Sequence, residues 1–139
     1  MKSKKTSPDE KNSDQSKNFS PNCDVKASVK FERESKRLHK KYTSLANEIE
    51  ELRKELRTNP TKGVSIGHSC YKIRLAIKSK GKGKSGGARV ITYYYIYGNT
   101  VYLLSIYDKA VQENISEKTV VDALLEMRET ENTKHQPEQ

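Results

Sequence analysis

The chain has 139 residues, of which 32% are hydrophobic and 32% charged, and its formal net charge is +9. This size and composition predict a single domain with a small, concentrated core. No apolar run approaches the roughly 20 residues of a membrane span, the start has no apolar signal-peptide segment, and Cys23 and Cys70 are too few for a disulfide framework or a zinc site. We therefore predict a cytoplasmic protein that uses no cofactor and does not contact a membrane.

Both ends of the chain are polar. Residues 1–24 are rich in Lys, Ser, Asn and Asp, and the segment after Met127 is polar as well. Such segments bury too little apolar surface to offset the entropy lost on ordering, although the first could serve as an auxiliary arm for a partner. The sequence predicts a disordered extension over residues 1–24, a folded domain over residues 25–128 and a flexible tail over residues 129–139.

Two helices are predicted after a short first strand at Val25–Val29. The first helix carries four residues at helical spacing, namely Phe31, Ser35, Leu38 and Tyr42. The second begins after Ser44, a preferred N-cap residue, and has an apolar stripe made of Leu45, Ile49, Leu52 and Leu56. Asn59–Pro60 ends this helix, and Gly63 and Gly67 mark a loop before the strands. Two amphipathic helices followed by strands predict an α+β layer in which the helices cover one face of a sheet.

The middle of the chain predicts a small, mostly antiparallel sheet. Three short runs rich in β-branched and aromatic residues are typical of strands: Ile73–Ile77, Val90–Ile96 and Val101–Ile106. Gly98–Asn99 is a hairpin signal between the last two. Side chains alternate along a strand, so Ile73 and Leu75 face a core while Lys72 and Arg74 form a cationic surface suited to phosphates.

A last helix is predicted to begin at Glu117. Ile115 and Val120 flank Ser116 in the arrangement of a hydrophobic staple around an N-cap. Its apolar face is predicted to consist of Val121, Leu124 and Leu125. The sequence leaves open whether this helix packs on the sheet or contacts a partner protein.

Positive charge is concentrated between Lys72 and Arg89, a stretch without acidic residues. Its loop, Ser79–Gly87, interleaves lysines with glycines, which leaves backbone amides open for phosphate contacts. A nucleotide-binding phosphate loop is not predicted, because Lys78 stands where its first glycine is required and a strand pattern follows. We predict an RNA-binding surface in which lysines contact phosphates and tyrosines stack on bases. Its residues are Lys78, Lys80, Lys82, Lys84, Tyr93 and Tyr95.

The same face carries groups suited to RNA cleavage. Attack by a ribose 2′-OH on the neighbouring phosphate needs a proton acceptor, a cation for the pentavalent phosphorus and a proton donor. Arg74 and Arg89 stay protonated and suit phosphate binding, and the side of the strand that carries Arg89 is expected to be free of packing. We assign proton exchange to Lys72, which lies among other cations, and contact with the leaving group or a phosphate to Lys109. No cluster of carboxylates or metal ligands is present, which argues against a metal-dependent nuclease.

Three segments in this order resemble the RelE/HigB-like toxins of bacterial type II toxin–antitoxin systems, within the RelE/ParE superfamily. The segments are KIR at residues 72–74, KGKGKSGGARVI at residues 80–91 and LLSIYDK at residues 103–109. The resemblance implies two N-terminal helices packed on a small sheet, with a C-terminal helix. It also implies a ribosome-dependent mRNA endonuclease that needs no metal and is held inactive by an antitoxin, expected to be a small helix-turn-helix protein. The active-site residues that it implies are Lys72, Arg74, Arg89 and Lys109, with Tyr107 at a position where relatives vary.

Two other functions fit the same basic face. The first is a protein that binds the ribosome or a nucleic acid without cleaving it. The second is a poison of DNA gyrase like the ParE toxins, which share the fold. Cleavage of mRNA only on translating ribosomes distinguishes the first from a toxin endonuclease, and DNA breaks with intact mRNA would reveal the second.

Overall fold

The computed structural model of the protein describes residues 22–81 and 86–135, with the backbone alone for residues 134 and 135. The predicted extension up to residue 21 and the loop lysines Lys82 and Lys84 lie outside the described residues. The strands are β1 (Asp24–Ala27), β2 (Val64–Gly67), β3 (Cys70–Leu75), β4 (Ala88–Tyr95) and β5 (Thr100–Asp108). The helices are α1 (Val29–Lys41), α2 (Leu45–Thr58) and α3 (Glu117–His135).

The five strands form one mixed sheet in the order β1-β5-β4-β3-β2. Neighbouring strands are antiparallel except β1, which pairs in parallel with β5. Residues 96–99 join β4 to β5, and Asn99 adopts a left-handed conformation in this turn. The predicted α+β architecture, with a mostly antiparallel sheet and a hairpin at Gly98–Asn99, is confirmed.

Helices α1 and α2 cover one face of the sheet. Ser28 caps α1, because its hydroxyl oxygen accepts a hydrogen bond from the Phe31 N–H, 3.1 Å away. The main core between these helices and the sheet includes Phe31, Leu45, Leu52, Leu56, Ile73, Leu75, Val90, Leu103 and Ile106. Strand alternation therefore places Ile73 and Leu75 in the core as predicted.

Helix α3 packs on the opposite face and covers only part of it. A second core contains the strand residues Cys70, Ile91, Tyr93, Leu104 and Tyr107 and the helix residues Val120, Ala123, Leu124 and Met127. Leu125, predicted to belong to the apolar face, is 53% exposed instead, because the buried face is centred on Ala123 and Leu124. The helix also continues to His135, so its last residues lie in the segment that the sequence predicts as a flexible tail. The polar side chains of this segment do not by themselves indicate a flexible tail, because residues such as Glu and Lys favour helices.

Two further boundaries differ from the sequence prediction. The first strand ends at Ala27 rather than Val29, since Ser28 caps the helix. Val64–Gly67, predicted as a loop, is an edge strand whose turn to β3 places His68 and Ser69 both at a φ of 58°. Glycine-flanked edge strands give a weak sequence signal, because they have little packed surface.

A β-bulge in β5 is held by a carboxylate from α1. The register shifts after the Ile91–Ser105 pair, so that Thr92 pairs with Leu103. One carboxylate oxygen of Glu34 accepts hydrogen bonds from the Ser105 hydroxyl (2.8 Å) and the Ile106 N–H (3.1 Å). Glu34 therefore satisfies two hydrogen-bond donors of β5 next to the bulge.

We expect Glu34→Ala to lower the free energy of unfolding by about 1–3 kcal/mol, because it leaves two donors unsatisfied beneath α1. Glu50→Ala, which removes the same charge from an exposed position of α2, should change it by less than about 0.5 kcal/mol. Urea unfolding of both variants measures the difference. Equal stabilities would show that water replaces Glu34 without cost.

Candidate functional site

Three residues on adjacent strands lie in one row across the sheet. Arg74 of β3 is paired with Arg89 of β4, and Arg89 is paired with Tyr107 of β5. Residues directly opposite on neighbouring strands project from the same face, and Lys72 projects there too because it lies two residues from Arg74. The row therefore carries predicted catalytic residues on the face that α3 covers in part.

An open groove of about 540 Å³ lies at the end of this face that α3 leaves uncovered. Its lining residues are Lys62, Gly63, Val64, Lys72, Ile73, Arg74, Arg89, Lys109, Glu113 and Asn114. Four of the five predicted catalytic residues thus meet in one groove, and Tyr107 does not line it. Residues from three strands and two loops build a concave, cationic site.

Arg89 lies at the floor of the groove. Its exposed fraction is only 5%, and its Nη1 donates a hydrogen bond to the Ala88 carbonyl oxygen at 3.2 Å. The expectation that its side of the strand is free of packing is wrong, because α3 packs on Ile91 and Tyr93 of the same strand. The groove reaches Arg89 from one side, while Arg74 is exposed on the rim.

Gly87 allows β4 to begin close to the end of β3. A Cβ atom at residue 87 would collide with the carbonyl oxygen of Leu75. The Gly87 carbonyl oxygen also accepts a hydrogen bond from the Lys109 N–H at 3.1 Å. The glycine therefore sets the positions of Arg89 and Lys109 through the backbone.

Tyr107 is buried beside Arg89. Its hydroxyl has no hydrogen-bond partner among the described residues. Burial raises the pKa of the Tyr107 phenol, and the positive charge of Arg89 offsets only part of this increase. The phenol is therefore neutral at physiological pH, and it cannot accept a proton there.

Lys109 follows β5 and projects into the groove. Its ammonium lies 3.4 Å from a carboxylate oxygen of Glu113, whose side chain is 78% exposed. Glu113 lines the groove although no sequence pattern predicts it, because it lies in an irregular segment after the last strand. It brings a negative charge to an otherwise cationic groove.

The base of the basic loop is fixed to α2 and β5, which limits the lysines that it offers to RNA. Ser79 exchanges hydrogen bonds with Ser44, and the Lys78 N–H donates to Glu48 at 2.7 Å. The side chain of Lys80, predicted to contact RNA, is instead buried, and its ammonium lies 2.5 Å from Asp108. Asp108 draws Lys80 inward, because a buried carboxylate needs a cationic partner. Lys78 is exposed, as an RNA contact requires.

The two tyrosines predicted to stack on bases lie at the other end of the sheet. The rings of Tyr93 and Tyr95 are stacked, with centroids 6.5 Å apart, and Tyr93 accepts a hydrogen bond from Arg128 of α3. Tyr93 is buried, whereas Tyr95 is 42% exposed. They line a second groove together with Tyr102, Met127 and Arg128, separate from the basic one.

Two negative observations concern the part of the chain that the structure describes. Across residues 22–81 and 86–135, no group of three or more His, Cys, Asp or Glu side chains is arranged to hold a metal ion. Within the same residues, no helix has the length and apolar character needed to cross a membrane. His68, near the sheet, is paired with Glu117 at 3.0 Å and does not line the basic groove.

No protein-family model matches the chain. Among solved structures, the chain is similar to a mutant of the E. coli toxin RelE, in which two arginines are replaced by alanine, in the free state. The TM-score is 0.51 and the sequence identity 14%, over 75% of this chain and 96% of that one. At this identity the similarity concerns the fold, and it agrees with the observed order of two helices, a sheet and a final helix. The chain has the RelE-like fold.

Proposed function

We propose that the protein is the toxin of a type II toxin–antitoxin system and cleaves mRNA on translating ribosomes without a metal ion. The observation that carries this proposal is the groove in which Lys72, Arg74, Arg89 and Lys109 meet on a RelE-like fold. Such an activity is located in the cytoplasm, where ribosomes translate.

The proposed chemistry is attack of a 2′-OH on the neighbouring phosphate. Arg89 on the floor and Arg74 on the rim bind the phosphate, because a guanidinium offers paired donors that match phosphate oxygens. These donors stabilise the negative charge that develops on the phosphorane. Lys72 exchanges a proton with the reacting oxygens, and Lys109 contacts the phosphate or the leaving group.

The exposed lysines extend the proposed binding surface beyond the groove. Lys78 is exposed beside it, and Lys82 and Lys84 belong to the same stretch of sequence. Each lysine that contacts a phosphate releases counterions, so binding weakens as salt increases. Tyr95 offers an exposed ring for stacking, at the far end of the sheet.

We also propose an antitoxin that covers the basic groove with acidic or helical elements. A cationic groove attracts cellular RNA unless a partner of opposite charge occupies it. Purification with the product of the neighbouring gene should yield a complex whose affinity falls with salt. A complex that leaves Lys72 and Arg74 accessible to lysine- and arginine-modifying reagents would contradict this mode of inhibition.

The test of the function is cleavage of a defined mRNA by the purified protein in a reconstituted translation system. We expect cuts only when ribosomes translate the message. Ribosome binding without cuts would favour the non-catalytic alternative. Intact mRNA together with DNA breaks and gyrase-dependent loss of supercoiling would identify a gyrase poison.

A further inference from the structure

Glu113 is the acidic residue that lines the basic groove in the described part of the chain. The cationic residues around it come from four different segments and are Lys62, Lys72, Arg74, Arg89 and Lys109. A carboxylate that lines a groove proposed to bind phosphate repels the ligand by its charge. We therefore expect Glu113 to have a role whose benefit is larger than the cost of this repulsion.

Cleavage by a 2′-OH requires a proton acceptor, and among the described groove residues Glu113 is the one whose side chain is an acceptor in its charged form. Arginine does not lose its proton in proteins, and a lysine ammonium is a donor without a free acceptor. The Tyr107 phenol is neutral, buried and outside the groove lining. The described histidine side chains, His39 and His68, do not line the groove either.

We infer that Glu113 is the general base of the reaction, a role that rests on the proposed ribonuclease function. An ionised carboxylate accepts hydrogen bonds and protons, and this side chain is 78% exposed, so a ribose hydroxyl can reach it. The ammonium of Lys109, 3.4 Å away, keeps the carboxylate at the groove. Lys109 is then a positioning residue for Glu113 in addition to a phosphate contact.

The strand order places β3, which carries Lys72, and β5, which precedes Glu113, on opposite sides of β4, which carries Arg89. Lys72 lies on β3 and Arg89 on β4, whereas Glu113 lies in the loop that follows β5. Neighbouring strands are about 4.8 Å apart. Strands β3 and β5 therefore lie about one strand spacing from β4, on either side of the proposed phosphate position. In-line attack needs this arrangement, because the attacking and leaving oxygens occupy opposite sides of the phosphorus.

The proposed step conserves atoms and charge. The Glu113 carboxylate takes the proton of the 2′-OH, and the 2′ oxygen forms a bond to the adjacent phosphorus. The bond between phosphorus and the 5′ oxygen breaks, and that oxygen takes a proton from the Lys72 ammonium. The products are a 2′,3′-cyclic phosphate and a 5′-hydroxyl end. Glu113 then releases its proton to water, and the Lys72 amine regains one from water.

The test compares Glu113→Gln with the wild-type protein in single-turnover cleavage of mRNA on translating ribosomes. We expect Glu113→Gln to slow the cleavage step about 10²–10⁴-fold, the usual contribution of a general base. Binding to ribosomes that carry an mRNA with a 2′-deoxy nucleotide at the cut site should remain within about threefold of wild type.

Asp122→Asn is the matched control. Asp122 forms an ion pair with Lys118 four residues away, as Glu113 does with Lys109, but it does not line the groove. This control should cleave at the wild-type rate. Glu113→Asp, which keeps a carboxylate on a shorter side chain, should retain more activity than Glu113→Gln.

Two outcomes would overturn the inference. If Glu113→Gln cleaves as fast as wild type, or faster, the carboxylate only screens Lys109, and the proposed ribonuclease function stands without it. If wild-type protein cleaves no mRNA in the same assay, the proposed function fails, and the assignment of Glu113 fails with it. The wild-type reaction in the same assay separates the two outcomes, and Arg74→Ala, expected to cleave about 10²–10³-fold more slowly, shows that the assay detects the loss of a groove residue.

Discussion

Arg74→Ala is expected to reduce mRNA cleavage on translating ribosomes by about 10²–10³-fold, the usual loss when one donor to developing charge is removed. The side chain is exposed on the rim of the groove, so its removal leaves no cavity. Arg74 also stands directly opposite Arg89 in the β3–β4 pair, where like charges are destabilising. We therefore expect the free energy of unfolding to stay unchanged or to rise by up to about 1 kcal/mol.

A gain in stability with a loss of activity distinguishes a functional residue from a structural one. We expect the opposed arginines to lower stability in the free protein, and a phosphate bound between them in the proposed reaction to offset this cost. Arg89→Ala should abolish cleavage as well, but it should also lower stability, since Arg89 is 5% exposed at the floor. Arg74→Lys should restore only part of the activity, because an ammonium lacks the paired donors of the guanidinium.

The measurement is single-turnover cleavage at matched concentrations of soluble protein and fixed salt, alongside urea unfolding. Arg37→Ala is the control, since it removes the same charge from an exposed position of α1, away from the groove. Wild-type cleavage by Arg74→Ala would remove this residue from the mechanism. A fall in stability comparable to that of Arg89→Ala would show that the two arginines do not repel each other in the free protein.

The sequence predicts most of the fold because its longer helices and strands carry a periodic signal. The stripe from Leu45 to Leu56 and the alternation from Lys72 to Leu75 indicate which side of each element is buried. The same alternation brings Lys72, Arg74 and Arg89 to one face, and register then brings them into one groove. Most residues of the cationic groove can therefore be predicted from local sequence patterns.

Burial on the other face of the sheet, on which α3 packs, cannot be predicted in the same way. Whether α3 packs on the sheet depends on long-range contacts, and these decide that Arg89 and Tyr93 are buried. Likewise Lys80 looks like the other loop lysines in sequence, but the three-dimensional path of the chain brings it to Asp108. Glu113 lies after the last strand in an irregular segment, so only its spacing from Lys109 connects it with the site.

Lys80→Met is expected to cause a large loss of stability among single substitutions. The side chains of Lys80 and Asp108 are 7% and 3% exposed, and the ammonium lies 2.5 Å from the carboxylate. Removing the lysine leaves the carboxylate buried without its charge partner, which typically costs about 3–5 kcal/mol. The Tyr42 hydroxyl, which donates to Asp108 at 2.8 Å, does not replace the missing charge.

The same pair makes stability depend on pH in a defined direction. Burial raises the pKa of the Asp108 carboxyl, but hydrogen bonds from Lys80, Tyr42 and the Ala110 N–H outweigh burial and lower it overall. A pKa that is lower in the folded than in the unfolded chain stabilises the fold above the unfolded value, roughly 3.9 for aspartate. This contribution is lost as the pH falls through the lower pKa of the folded state.

Urea unfolding at about pH 7, and then at steps from about pH 5 to pH 2, tests both expectations. Lys78→Met is the matched control, because this neighbouring lysine is exposed and should change the free energy of unfolding by less than about 0.5 kcal/mol. The double variant Lys80→Met/Asp108→Asn should recover part of the loss, since it buries no charge. Its stability should also fall less than that of wild type below about pH 4, because residue 108 no longer titrates. If Lys80→Met loses less than about 1 kcal/mol, water reaches Asp108, and the base of the basic loop is held by Ser44 and Glu48 instead.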